Sequence, residues 1–140
     1  MNRAVSCFRE GFNCSQALLA TYGEKLGVNR EIALKVAGVF GAGMGMGDIC
    51  GAVTGAFMII GAGYGKTKAE DYDSADRACG IAHDFVQEFK FRNKSIVCRE
   101  LLDCDISTPE GMKLANEKDL LNTLCPKFVQ DAAEIIEQLL

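Results

Sequence analysis

Histidine and proline are almost missing from this sequence, one and two in 140 residues, and several chemistry-defining patterns are missing with them. A single imidazole excludes most hydrolytic metal sites, which are built on two or three histidines. That one, His83, lies mid-helix between Ala82 and Asp84 and reads as structural or surface. No Cys-x-x-Cys occurs, so neither a zinc ribbon nor a thioredoxin-type dithiol is supported by spacing. No Lys/Arg-rich run occurs either. With a net charge of −4 and a pI near 5.0, the composition argues against nucleic acid or an anionic membrane surface as the main partner. Arg9 and Glu10 stand where an export signal keeps its apolar stretch, so a soluble, cytoplasmic protein is expected. The longest uncharged stretch, Ile49–Gly65, is 17 residues and just short of a membrane span. Its glycines suit a buried helix pair, and no membrane insertion is expected. Gly61-Ala62-Gly63-Tyr64-Gly65-Lys66-Thr67 imitates the tail of a phosphate-binding loop, but Ile60 occupies the position of the required first glycine.

Strand patterns are also nearly absent, whereas helical periodicity recurs. Ala4, Val5, Phe8, Phe12, Ser15, Leu18, Leu19 and Tyr22 fall on one face of a first helix, ended by Gly23 and Gly27. Asn29 caps a second helix through Ile32, Val36, Val39 and Phe40, which the glycine-alternating stretch Gly41–Gly47 breaks. Asp48 is expected to cap a third helix, Ile49 to about Gly61, and a loop follows to Asp73. Asp73 or Ser74 opens a long helix carrying Ile81, Phe85 and Phe89, and Ser95 caps a short one over Ile96–Leu102. Thr108-Pro109-Glu110 is a helix start, proline being favoured in the first turn, and the last helix opens at Pro126. Met44, Met46 and Met58 read as core filler. The expected fold is one all-α domain over residues 1–140, a bundle of about five to six helices with no sheet.

What the sequence has in excess is cysteine, seven residues of it. Reducing compartments keep thiols free, and an odd count defeats complete pairing, so a static disulfide framework is not expected. One buried cysteine is usually a small hydrophobe. Three of these, however, fall at expected helix N-termini: Cys50, Cys98 and Cys125, where unpaired N–H groups and the helix dipole favour thiolate and lower the pKa. Cys14 reads instead as an interior residue of the first helix, one turn before Leu18. Gly43, Gly47, Gly51 and Gly55 make a four-residue series after and around Cys50. It reads equally as a close helix approach and as space kept for a cofactor beside the sulfur.

Cys14 within Gly11-Phe12-Asn13-Cys14-Ser15-Gln16-Ala17, then Cys50-Gly51-Ala52-Val53-Thr54-Gly55, Cys98-Arg99-Glu100-Leu101-Leu102 and Cys125-Pro126, resemble the C_GCAxxG_C_C family, whose proteins are labelled redox-active for their cysteines. The resemblance covers nearly the whole chain, including Thr108-Pro109-Glu110-Gly111 and the last helix. It implies Cys14, Cys50, Cys98 and Cys125 as the functional set, serving as metal ligands or as redox thiols if no metal is held. Cys7, Cys79 and Cys104 are then extras. The family is similar to the helical domain of split-Soret cytochromes c, which implies a cysteine-bound iron–sulfur centre. The chain has no Cys-x-x-Cys-His, so covalent haem is not implied.

Three functions follow as expectations. The first is a four-cysteine redox centre binding an iron–sulfur cluster for electron transfer with a redox partner protein, Gly51 and Gly55 leaving room for the cofactor. The second is metal-free thiol–disulfide exchange, Cys50 or Cys98 attacking and another cysteine resolving. The third is a non-catalytic helical module, a homodimer or an associate of a membrane transporter or redox complex. A four-cysteine zinc site is a further alternative.

Overall fold

The computed structural model describes residues 2–140. Nine α-helices are present among them: α1 (Arg3–Arg9), α2 (Cys14–Gly23), α3 (Arg30–Val36), α4 (Gly51–Tyr64), α5 (Tyr72–Asn93), α6 (Cys98–Leu101), α7 (Pro109–Glu117), α8 (Leu120–Thr123) and α9 (Cys125–Leu139). The described residues contain no strand. A single isolated antiparallel bridge pairs Ile49 with Val97. The all-α expectation holds, but the helices are more numerous than five or six, for local reasons.

The expected first helix is two. Gly11 has a left-handed backbone (φ 115°) that α-helix cannot accommodate, and Asn13 starts a new helix two residues later. The Asn13 side chain accepts from the Gln16 N–H while the Gln16 side chain accepts from the Asn13 N–H, a reciprocal cap. Asp119, also left-handed (φ 53°), separates α7 from the short α8. Two expected starts move. Asp71, not Asp73 or Ser74, caps α5 by accepting from the Ser74 N–H, and α4 runs on to Tyr64. Asn29 caps α3 as expected.

The core lies where α2, α4, α5 and α9 meet, filled by Leu18, Val53, Ile59, Ile60, Phe85, Phe89, Val129, Ile135 and Ile136. Phe85, Phe89 and Phe128 run through it as a chain of ring contacts that the exposed Phe57 extends to the surface, with successive centroids from Phe57 onward 6.5, 5.9 and 6.4 Å apart. α5 is fastened to α9 at its C-terminal end, where Asp131 accepts from Arg92 (3.4 Å), Asn93 (3.1 Å) and Lys127 (2.7 Å). α3 turns differently from its expected face. It presents Ala33 and Ala37 to the core, leaving Ile32 and Val36 about half exposed and Val39 80% exposed. Met46 is exposed as well, not core filler. The small alanines let α3 lie close on α2, which a row of branched side chains would prevent.

Among the described residues no helix is long and apolar enough to cross a membrane. α4, the most apolar, is 14 residues long and packs against α2, α5 and α9.

Candidate functional site

Cys14, Cys50, Cys98 and Cys125 line a single cavity of about 220 Å³, open on one side. Apolar side chains supply most of the remaining wall, among them Phe8, Leu101, Ile106, Met112, Leu121 and Phe128. The four sulfurs come from four segments, and each stands at a helix N-terminus. Cys14, Cys98 and Cys125 are the first residues of α2, α6 and α9, and Cys50 is the residue that caps α4. Cys14 therefore joins the other three in kind, contrary to its expected place inside a helix. The signal that assigns it is Asn13-x-x-Gln16, a capping pattern directly after Gly11.

Backbone, not side chain, brings Cys50 beside Cys98. Around the Ile49–Val97 bridge the Cys50 N–H donates to the Ile96 carbonyl (2.8 Å) and the Cys98 N–H to the Asp48 carbonyl (2.6 Å). Asp48 thus serves the site through its carbonyl and does not cap α4. Ser95 accepts from the Val97 N–H, and the helix it was expected to open starts at Cys98. The glycine stretch before Asp48 is no helical stripe. Ala42, Gly43, Met44 and Gly45 are consecutively left-handed, a turn tolerable because half of it is glycine. Arg99 holds this turn by donating to the Gly47 carbonyl (3.1 Å).

Gly51 and Gly55 set the distance between α2 and α4. A Cβ on Gly51 would lie 3.1 Å from the Cys14 Cβ, and one on Gly55 would lie 3.0 and 3.1 Å from the Ser15 Cα and carbonyl oxygen. Gly51 also lines the cavity, whereas Gly55 lies one turn deeper, between the helices.

The ionisation of the four thiols is uneven. Burial pushes Cys50 up to about 12, although the nearby N–H groups of Ala52 and Val53 act to lower it. Burial likewise pushes Cys98 up to about 11. Cys14 is held well above the ordinary thiol value, first by its hydrogen bond to Cys125, then by burial and by the other sulfurs. Cys125 alone is lowered, because the Cys14 thiol donates to it. The lowered values expected of Cys50 and Cys98 are therefore reversed: the apolar cavity removes more solvation than the helix amides replace.

Among the described residues, no three His, Cys, Asp or Glu side chains are arranged to hold a single metal ion. Of the extra cysteines, Cys7 is buried at the edge of a separate polar groove with Arg3 and Arg30, Cys79 is exposed on α5, and Cys104 is half-buried near Cys98. His83 lies on the exposed side of α5 beside Gln87, away from the cavity.

No curated protein and no solved structure matches the chain. One family model does, over residues 12–139, a span that contains all four cavity cysteines and the glycines between them. The chain belongs to the family described as "Putative redox-active protein (C_GCAxxG_C_C)".

Proposed function

We propose that the cavity holds an iron–sulfur cluster on Cys14, Cys50, Cys98 and Cys125, and that the protein carries electrons to or from a partner protein. The observation that carries this reading is the convergence of four thiols, from segments up to 111 positions apart, on one apolar cavity. Four cysteine thiolates are the usual ligand set of such clusters. Metal-free exchange needs two sulfurs and leaves the other two without a task. Four thiolates around one zinc would have to approach to about 3.8 Å of one another, from a Zn–S bond near 2.3 Å in tetrahedral geometry. The four thiols do not form such a single-ion group among the described residues, whereas a cluster distributes the thiolates over several irons and spreads the sulfurs apart.

When bound, the cluster would supply one-electron chemistry at a potential set by its surroundings. The chain's own contributions are open to inspection. The Ala52 and Val53 N–H groups lie in the first turn after Cys50 and favour its thiolate, the arrangement that moderates charge on a ligating sulfur. Phe8, Leu101, Ile106 and Phe128 exclude water from the sulfurs. Burial keeps Cys50 and Cys98 neutral when no cation is present, so deprotonation of the set is coupled to arrival of positive charge.

Anaerobic reconstitution with iron and sulfide tests the proposal. The protein should turn brown, contain both elements, and bleach in the visible on reduction. Serine at any of the four positions should abolish the colour, while C7S, C79S and C104S should keep it. A colourless, iron-free product from well-folded protein overturns the proposal.

A further inference from the structure

We infer that the groove between α1, α2 and the start of α3 is a second binding site, one that takes a phosphate group through Arg3 and Arg30. The groove is lined by Arg3, Ser6, Cys7, Glu10, Thr21 and Arg30 and encloses about 200 Å³. It shares no residue with the cysteine cavity, so it stands whether or not that cavity holds a cluster. α1 lies between the two, turning Phe8 into the cavity and Arg3, Ser6 and Cys7 into the groove.

The chemistry of the wall selects an anion. Two guanidinium groups, two hydroxyls and a thiol can donate there, whereas the Glu10 carboxylate is the one acceptor-only group. Among the described residues the Arg3 side chain and the Ser6 and Thr21 hydroxyls have no ion pair or hydrogen-bond partner. Arg30 is steadied from two sides. Its guanidinium carbon lies 5.8 Å from the centroid of the Phe12 ring, and its Nη2 lies 3.8 Å from the Glu10 Oε2. Both members of that ion pair are more than half exposed, and the contact is long and weak, so an arriving anion can replace Glu10 at Arg30. Burial raises the Cys7 thiol above its ordinary value, so this part of the wall carries no charge near neutral pH and does not repel an anion.

Shape narrows the anion to phosphate. A planar carboxylate is satisfied by one guanidinium fork. Here the donors converge from three elements, Arg3 and Ser6 on α1, Thr21 on α2 and Arg30 on α3. A tetrahedral phosphate accepts from several directions at once, and arginine is the side chain best matched to its oxygens. The enclosed volume is several times the roughly 30 Å³ share of one water molecule, which leaves room for such a group.

Titration of ¹⁵N-labelled protein with inorganic phosphate, near pH 7.5 and at constant ionic strength, tests the site. Amide shifts around Ser6, Thr21 and Arg30 should saturate in the millimolar range, while those around Cys98 and Cys125 stay in place. R3Q and R30Q should each weaken binding by roughly threefold to tenfold. E10Q should tighten it by roughly twofold to fivefold, because it removes the competing carboxylate. Acetate should bind more weakly than phosphate. Glycerol phosphate separates the two sources of the group: tighter binding than phosphate makes the ligand a phosphate ester, equal binding makes it the free ion, and both support the site. Shifts that never saturate, or binding indifferent to R3Q and R30Q, overturn the inference. Acetate binding as tightly as phosphate overturns the phosphate assignment. Weaker binding by E10Q overturns the placement at Arg30 even if an arginine variant fails to fold.

Discussion

A thiol in an apolar cavity holds its proton tightly because no water solvates the thiolate, and Cys50 and Cys98 illustrate this at about 12 and about 11. The thiolate is the reactive species, so in reduced, metal-free protein near pH 8 iodoacetamide should modify the exposed Cys79 and leave Cys50 and Cys98 intact. Alkylation mass spectrometry at successive times reads this directly. The same values set a pH dependence. A folded-state pKa raised above the ordinary 9.0 means that the native state binds the proton more tightly than the unfolded chain. The resulting stability is complete below 9.0 and is lost as pH climbs toward 11 and 12. Tyr22, pushed up to about 12 by burial, acts in the same direction. The thermal midpoint of the metal-free protein should accordingly drop between pH 9 and 11. A midpoint that rises across that window contradicts the burial of these groups.

At the scale of elements, the contact of α2 with α4 carries the site, and two kinds of residue make it. Asn13 fixes where α2 starts and ties it to the end of α3. Asn13→Ala should cost about 1–2 kcal/mol, the range for a lost side-chain cap. Denaturant unfolding measures it, and cluster yield should fall with it. Gly55 fixes how close the helices come. Its Cβ would press on Ser15 backbone, which cannot rotate away, so Gly55→Ala should destabilise by about 1–2 kcal/mol despite alanine's better helix propensity. Gly80 supplies the contrast. It lies inside α5 with nothing within 4 Å of a Cβ, so Gly80→Ala should stabilise by about 0.5–1 kcal/mol. Equal effects at the two positions would mean that close approach is not what Gly55 provides.

At the scale of the molecule, the four sulfurs arrive on α2, α4, α6 and α9, from position 14 to position 125. No short piece of the chain holds more than one of them. A group bound by all four therefore belongs to the folded state alone and stabilises it by mass action. Reconstitution should raise the melting temperature by about 5–10 °C, and chelation under anaerobic conditions should reverse the gain. Scanning calorimetry of loaded and stripped protein checks this. A reconstituted protein melting at the stripped temperature would place the iron outside the cavity.

Several features were legible because they depend on neighbours in sequence. Helical periodicity, the Asn29 and Thr108-Pro109 starts and the short motif around each of the four cysteines all lie within reach of a turn or two of helix, and their order along the chain suffices for an all-α chain of this family. The capping pattern Asn13-x-x-Gln16 after Gly11 was equally local, and it places Cys14 at a helix start. Tertiary structure decided the rest. Which face of α3 is buried depends on how closely its alanines approach α2, not on periodicity. The ionisation of Cys50 and Cys98 depends on walls contributed by α1, α7, α8 and α9, which no window around either residue contains. Cys14 and Cys125 share a cavity only because α2 and α9 are packed together, and distance in space between remote segments is a property of the fold.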